Sequence, residues 1–237
     1  MPHASTRRDT IDTAMRGARR THRYWPLALL AAVLLVHCDR SGGAQGTGAQ
    51  APRAPDRSQQ EPTMAASTAT VAIDRVRAPS GRTIRVGSSS LQPQAAIPAH
   101  YTAYGDGVSP ALQWSRIEGA HSYALLVEDP DAHGAQPFVH WLAWNIPADT
   151  QSLPEGLAAS PPGMQQGRNG RDASGWFGPR PPAGDPPHHY HFEVFALDAP
   201  LQLPTNADRD AFVAAMAPHL LGSGELVATS PAPARAH

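Results

Sequence analysis

Two stretches, EDPDAHGAQPFVHWLAWNIP at 128–147 and GPRPPAGDPPHHYHF at 178–192, indicate the fold of this chain and its candidate site. Both place carboxylates, imidazoles and a phenol on or beside apolar runs that alternate as β-strands do. Polar groups in a future core are costly to desolvate unless they are partnered. The two stretches therefore predict a lined pocket in a mainly β protein.

The first stretch opens where a hydrophobic strand ends. Tyr123 to Val127 are apolar, and Asp129 and Asp131 follow on either side of Pro130. Proline stops strand pairing and fixes the local backbone, so Asp129 would occupy a repeatable position. Taken alone, the segment favours an ordinary Asp-Pro turn.

A histidine lies within the next apolar run. With strict alternation, Phe138, His140, Leu142 and Trp144 share one face of a strand, which places the imidazole among large apolar groups. A single histidine in such a place is usually a structural core residue. The run alone therefore does not indicate binding.

The second stretch combines a stiff loop with polar strand residues. Five prolines stiffen it, Gly178 and Gly184 permit close backbone approach, and Arg180 adds a cation. His188 and Tyr190 then share one face of the following strand. These features favour a small-anion site. Asp129 or Asp131 would fix the tautomer of a histidine or contact the cationic end of a zwitterionic ligand. The candidate residues for the apolar walls of the pocket are Phe138, Trp141, Trp144 and Trp176.

Short β-branched or aromatic runs, separated by many of the 25 prolines and 20 glycines, predict an all-β sandwich. The predicted strands are Thr83–Val86, Ala111–Trp114, Ser122–Glu128, Phe138–Ile146 and Tyr190–Leu197. One helix is predicted over Asp208–Leu221, with Asn206 as its N-cap and Gly222 as its C-cap.

The N-terminal third differs in composition. Residues 1–38 resemble a signal peptide, with arginines before the apolar run Trp25–Val36, and Leu35–Cys38 resembles a lipobox that would be lipidated at Cys38. His37 stands where a small residue is usual, so an ordinary cleaved signal or an uncleaved anchor stays open, as does a start at Met15. Residues 39–70 predict a disordered linker, and residues 71–237 the folded domain.

Composition excludes several classes of site. Cys38 is the single cysteine, so the chain has no intramolecular disulfide and no zinc site built from cysteines. Six of the 19 basic residues and two of the 20 acidic residues precede Cys38, which leaves 13 basic and 18 acidic residues after it. This mildly acidic balance argues against nucleic acid as a partner.

Several ordered segments resemble the phosphatidylethanolamine-binding protein family, in its bacterial Raf-kinase-inhibitor-like branch. They are IPAHYTAYGDGVSPALQW, DPDA, FVHW with NIP, GRN, GPRPPAGD with HHYHFEVFALD, and HLLGSGELVAT. The resemblance implies an antiparallel Greek-key β-sandwich with a few short helices and a pocket for phosphate-like groups. It assigns ligand binding to Asp129, Asp131, His140, Gly178, Pro181, Pro182, His188 and Tyr190. Tyr104, Gly105, Ala111 and His189 depart from the family pattern, and His189 changes the charge expected at the pocket rim.

We therefore expect an exported, non-catalytic protein that binds small phosphorylated molecules or phospholipid head groups, without a cofactor. It would be an envelope or periplasmic protein, attached to the membrane through an N-terminal lipid. Two alternatives stay open. One is an inhibitor or regulator that docks on a kinase or an envelope hydrolase. The other is a weak metal-dependent enzyme that uses Asp129, His140 and His188.

Overall fold

The computed structural model describes residues 69–157 and 160–235. The predicted signal peptide, Cys38 and the linker up to residue 68 lie outside the described residues. Within those ranges, no helix has both the length and the apolar character needed to cross a membrane. The elements are α1 (Ala72–Arg75), β1 (Arg82–Thr83), β2 (Val86–Gly87), a 3₁₀ helix (Ala99–Tyr101), β3 (Leu112–Trp114), β4 (Ser122–Asp129), β5 (Phe138–Pro147), β6 (Ser152–Leu153), β7 (Gln165–Gln166), β8 (His188–Leu197), α2 (Arg209–Met216), a second 3₁₀ helix (Ala217–His219) and β9 (Leu220–Ser230).

The described strands form two open sheets. The larger has six strands in the order β1-β9-β8-β4-β5-β7, and the smaller has three in the order β2-β3-β6. Neighbouring strands are antiparallel except β1 and β9, which are parallel. Strand β8 returns over a long connection to lie beside β4, as in a Greek key. The predicted β-sandwich is confirmed.

Both faces of the large sheet are buried, so β4 has no exposed residue. One face packs on the small sheet, where Tyr123, Leu125 and Val127 meet Leu112 and Trp114. On the other face, Ala124 and Leu126 pack in a second core with α1 and α2. A strand covered on both sides is apolar throughout, which explains the continuous run of apolar residues in β4.

The prediction that His140 shares one face of β5 with Leu142 and Trp144 is wrong. Val127 pairs with Trp141 and Glu128 pairs with Val139, so His140 is the extra residue of a β-bulge. The bulge resets the alternation. His140 packs against Tyr190 in the core between the sheets, whereas Leu142 and Trp144 belong to the core on the opposite face.

The predicted strand Thr83–Val86 is two strands in different sheets. The backbone N–H of Ile84 donates to the carbonyl of Ser223 in β9. The carbonyl of the following residue, Arg85, accepts from the backbone N–H of Ser115, which follows β3 of the small sheet. The chain therefore changes sheets between Ile84 and Arg85. Such corners connect the two layers of a sandwich.

The predicted helix is correct in place and wrong at both ends. Asp208, rather than Asn206, is the N-cap, and its side chain accepts from Ala211 N–H at 3.0 Å. The α-helix ends at Met216 and a 3₁₀ turn containing Pro218 follows. Gly222 is not a C-cap because it lies within β9, against the backbone of Arg82, where a Cβ would come within 2.9 Å of a carbonyl oxygen.

Candidate functional site

The two sequence stretches meet at one edge of the large sheet. The C-terminal end of β4 and the N-terminal ends of its antiparallel neighbours β5 and β8 lie side by side there. They border a cavity of about 260 Å³, which we call the main cavity. Its walls are Asp129, Ala132, His133, Phe138, His140, Arg171, Phe177, Arg180, Pro182 and His188.

Asp129 is the buried carboxylate of this cavity, with 3% of its surface exposed. Its Oδ1 accepts from the backbone N–H groups of Asp131 and Ala132 at 2.9 and 3.0 Å, in the turn that Pro130 begins. Its Oδ2 accepts from His188 Nδ1 at 2.8 Å and lies 4.0 Å from His140 Nε2. These donors compensate the cost of burying the charge.

His140 is held in one tautomer. Its Nδ1 donates to the carbonyl of Phe177 at 2.6 Å, and its own carbonyl, left without a strand partner by the bulge, accepts from Phe177 N–H at 2.9 Å. Because Nδ1 carries the proton, Nε2 of the neutral ring is an acceptor directed toward Asp129. Burial lowers the pKa of His140 to about 4, so the ring is neutral at physiological pH.

His188 links the cavity to its rim. Its Nδ1 donates to Asp129, and its Nε2 lies 3.6 Å from a carboxylate oxygen of Asp185. The same oxygen lies 3.1 Å from Nε2 of His133, which is exposed. Carboxylates and imidazoles therefore alternate from the buried end of the cavity to the solvent, in the order Asp129, His188, Asp185 and His133.

Tyr190 stands behind His140, at 5.0 Å between ring centroids, and is not part of the cavity wall. Its hydroxyl is buried and has no hydrogen-bond partner in the part of the chain that the structure describes. Burial raises the pKa of this phenol, and the nearby Asp129 carboxylate raises it further. The hydroxyl is therefore a permanent donor.

Three other predicted site residues lie beside the cavity rather than in its wall. Gly178 packs on the first 3₁₀ helix, where a Cβ would lie 2.6 Å from the backbone nitrogen of Ala103. The carbonyl of Pro181 accepts from the Tyr104 hydroxyl at 2.6 Å. Asp131 accepts from the backbone N–H and Nδ1 of His189, both at 2.8 Å. Of the predicted set, Asp129, His140, Pro182 and His188 line the cavity.

The wall also contains residues that the sequence did not single out, chiefly Arg171, Phe177 and His133. The loop that carries Arg171 runs along β5, where Gly170 N–H donates to Val139. Arg171 lies over the ring of Phe177, 5.6 Å from its centroid. The Asn169-Gly170 pair is a turn signal, but no local pattern connects this turn to His140.

The described ranges contain no group of three or more histidine, cysteine, aspartate or glutamate side chains arranged to hold a metal ion. At the cavity, Nδ1 of both buried histidines is already used, by Phe177 and by Asp129. The cationic groups in the cavity wall that are charged at every physiological pH are the guanidinium groups of Arg171 and Arg180. Neither forms an ion pair with a carboxylate among the described residues.

Comparisons with other proteins identify the family. A UPF0098 protein of Pyrococcus abyssi is 44% identical over 137 residues, covering 55% of this chain and 76% of the relative. LppC of Mycobacterium tuberculosis, which is named as a candidate lipoprotein, is 33% identical over 204 residues, covering 86% of this chain and 94% of that protein.

Two crystal structures have a similar fold. YbcL of Escherichia coli matches with a TM-score of 0.61 and 29% identity, over 63% of this chain and 99% of YbcL. CT736 of Chlamydia trachomatis matches with a TM-score of 0.58 and 30% identity, over 62% of this chain and 96% of CT736. The family model described as phosphatidylethanolamine-binding protein matches residues 87–230, which include both stretches that form the cavity. The chain therefore belongs to the phosphatidylethanolamine-binding protein family.

Proposed function

We propose that the folded domain is a non-catalytic binding protein for small anionic ligands that contain a phosphate group, either free phosphorylated molecules or phospholipid head groups. One observation carries the proposal. His140 and His188, far apart in the sequence, meet at Asp129 in one cavity. The outer wall of this cavity holds Arg171 and Arg180, which form no ion pair with a carboxylate in the ranges that the structure describes. The ligand would lie between the buried group of Asp129, His140 and His188 and the two exposed arginines.

The arginines supply the attraction for the anion. Arg171 and Arg180 both lie on the connection between β7 and β8, and both are exposed. Guanidinium groups donate paired hydrogen bonds to phosphate oxygens. Phe138, Phe177 and Pro182 exclude water from the apolar part of the wall, which strengthens these bonds.

The inner end of the cavity favours a ligand group that donates a hydrogen bond. Asp129 accepts hydrogen bonds only, and neutral His140 accepts at Nε2. A hydrogen phosphate or a singly ionised phosphomonoester has one P–O–H group that can donate to either atom. Its remaining oxygens would accept from Arg171 and Arg180. A phosphoethanolamine head group in a phospholipid has no P–O–H group and would donate through its ammonium group instead.

The test is calorimetric titration with inorganic phosphate, phosphoethanolamine and short-chain phosphatidylethanolamine. We expect binding to the wild type and at least tenfold weaker binding to His188→Ala and to Arg180→Ala. His219→Ala is the matched control, because His219 contacts Asp198 and does not line the cavity. Absence of binding to every ligand, by wild-type protein that is folded, would contradict the proposal.

We also propose that the chain is exported and lipidated at Cys38, which would hold the domain at the cell envelope. The similarity to LppC over most of both chains supports this. Metabolic labelling with a fatty acid that carries a chemical tag should label the wild type and not Cys38→Ser. Equal labelling of both proteins, or labelling of neither, would contradict it.

A further inference from the structure

A short turn, residues 182–185, closes one side of the main cavity, and we call it the rim turn. Pro182 at its start lines the cavity. Asp185 at its end has a carboxylate oxygen 3.6 Å from Nε2 of His188. The N–H of Asp185 donates to the carbonyl of Pro182 at 3.1 Å, and Gly184 has a φ of +86°, as at the third position of a type II turn. The placement of the rim turn therefore decides where a wall residue and a rim carboxylate stand.

The loop before the rim turn is anchored on residues 103–104. The N–H of Ala103 donates to the carbonyl of Pro179 at 3.0 Å, and the Tyr104 hydroxyl donates to that of Pro181 at 2.6 Å. The rim turn has fewer possible bonds, because three of the residues from 182 to 187 are prolines and have no N–H. It therefore needs support from elsewhere in the chain.

That support comes from residues 231–235, which follow β9 directly and which we call the terminal segment. The N–H of Gly184 donates to the carbonyl of Pro233 at 3.0 Å. Within the described ranges, this is the one backbone hydrogen bond that joins residues 182–187 to another segment. The side chain of Arg235 lies against Gly184 so closely that a Cβ there would come within 2.2 Å of its Nε. The terminal segment thus contacts the rim turn through both backbone and side chain.

The terminal segment is not part of the sheet. Strand β9 pairs with β8 from Leu220 to Ser230, and all of these pairs precede the terminal segment. The match to the family model also ends at residue 230. One backbone hydrogen bond and one side-chain contact contribute little to the stability of a whole domain, but they restrict a turn that borders the cavity. The terminal segment is therefore suited to place the rim turn rather than to hold the fold.

We propose that the terminal segment is a positioning element of the main cavity. It holds the rim turn so that Pro182 completes the apolar wall and the Asp185 carboxylate faces His188. Without it, the turn would have to be ordered when the ligand binds, and the entropy cost of that ordering would lower the affinity. The coupling is reciprocal, so a bound anion should hold the terminal segment more firmly. This inference rests on the proposed function, because it concerns the affinity for the phosphate group.

A chain that ends at Pro231 tests the inference, because it keeps β9 and loses Pro233 and Arg235. We expect its unfolding midpoint in urea to match that of the wild type and its calorimetric affinity for inorganic phosphate to be about tenfold lower. Arg235→Ala should lose less affinity, because the bond from Gly184 to Pro233 persists. Arg116→Ala, exposed and outside the main cavity, is the control. Unchanged phosphate affinity of the shortened, folded chain would overturn the inference.

Hydrogen exchange of the wild-type chain gives a second measurement that needs no variant. Saturating inorganic phosphate should slow exchange of the Gly184 amide by about tenfold, since the coupling between ligand and segment acts equally in both directions. The amide of Gly81, which donates to the carbonyl of Ala78 in another turn, is the internal control. Unchanged exchange at Gly184 in the phosphate-bound protein would overturn the inference. Absence of phosphate binding by the folded wild type would instead contradict the proposed function.

Discussion

Glu128 and Asp129 are neighbours on β4, and their carboxylates serve opposite faces of the six-stranded sheet. Asp129 accepts from His188 at the main cavity. Glu128 binds Arg209 and accepts from the N–H of Ala72 at 2.7 Å, on the face covered by α1 and α2. One peptide unit therefore joins the main cavity to a buried charge cluster that holds the start of the described chain.

Glu193 belongs to the same cluster and should make stability depend on pH. Its Oε1 accepts from Ile73 N–H, and burial, followed by the charge of Glu128, raises its pKa well above 4.5. The folded state thus keeps a proton that the unfolded chain loses above about pH 4.5. The stabilising effect of that proton is fully present in acid and is lost as the pH rises through the folded pKa.

Glu193→Gln should therefore be more stable than the wild type at neutral pH, with the difference shrinking toward pH 4.5. The measurement is the free energy of unfolding in urea across this range. Glu118→Gln, an exposed position, is the control. Parallel curves for wild type and Glu193→Gln would show that Glu193 is not protonated preferentially in the folded state.

His140 should make the stability of the fold depend on pH in the direction opposite to that of Glu193. Its pKa is lowered from 6.5 to about 4 by burial, so the unfolded chain binds a proton that the folded chain does not. Stability from this residue is complete above pH 6.5 and decreases as the pH falls toward 4, by up to about 3 kcal/mol. His140→Gln, which keeps a donor for Phe177, should lose less stability over this interval. An NMR titration in which the His140 ring changes protonation near pH 6.5 would contradict this.

Selectivity between phosphate and sulfate tests the inner end of the cavity. At neutral pH sulfate has no O–H group, so Asp129 and the acceptor Nε2 of His140 would face an oxygen anion without a proton between them. We expect phosphate to bind at least tenfold more tightly than sulfate. Competition calorimetry at constant ionic strength measures the ratio. Equal affinities would show that the arginines alone determine binding.

Gly178 should be needed for the fold rather than for ligand contact. In Gly178→Ala the new Cβ would lie 2.6–2.7 Å from backbone atoms of residues 101–103, which cannot move as a side chain can. We expect a loss of about 1–3 kcal/mol in stability. Gly87→Ala is the matched control, because the nearest atoms to its new Cβ, at 3.4 and 3.7 Å, belong to the flexible side chain of Gln113. A loss no larger than that of the control would disprove the packing role.

The sequence predicted the β-sandwich from local features, and it predicted the meeting of the two stretches from their matching polar groups and from the family resemblance. Apolar runs between prolines and glycines define the strands, and polar groups at strand ends define where a pocket can form. His188 and Tyr190 were placed correctly on one face of β8, since that strand alternates without interruption up to Ala196. The same rule failed at His140.

Only the tertiary structure decided the rest. The bulge at His140 depends on which residues of β4 lie opposite it, and Arg171 reaches the cavity through backbone hydrogen bonds to β5 from a distant loop. The cluster of Glu128, Glu193 and Arg209 likewise joins three separate segments. Alternation and turn signals describe neighbours along the chain, whereas a site is formed by neighbours in space. The sequence therefore determined the framework of strands and identified most of the acidic and histidine side chains of the site. The pairing of strands and loops determined which tautomer each histidine adopts, which groups contact each other and which charged groups reach the cavity.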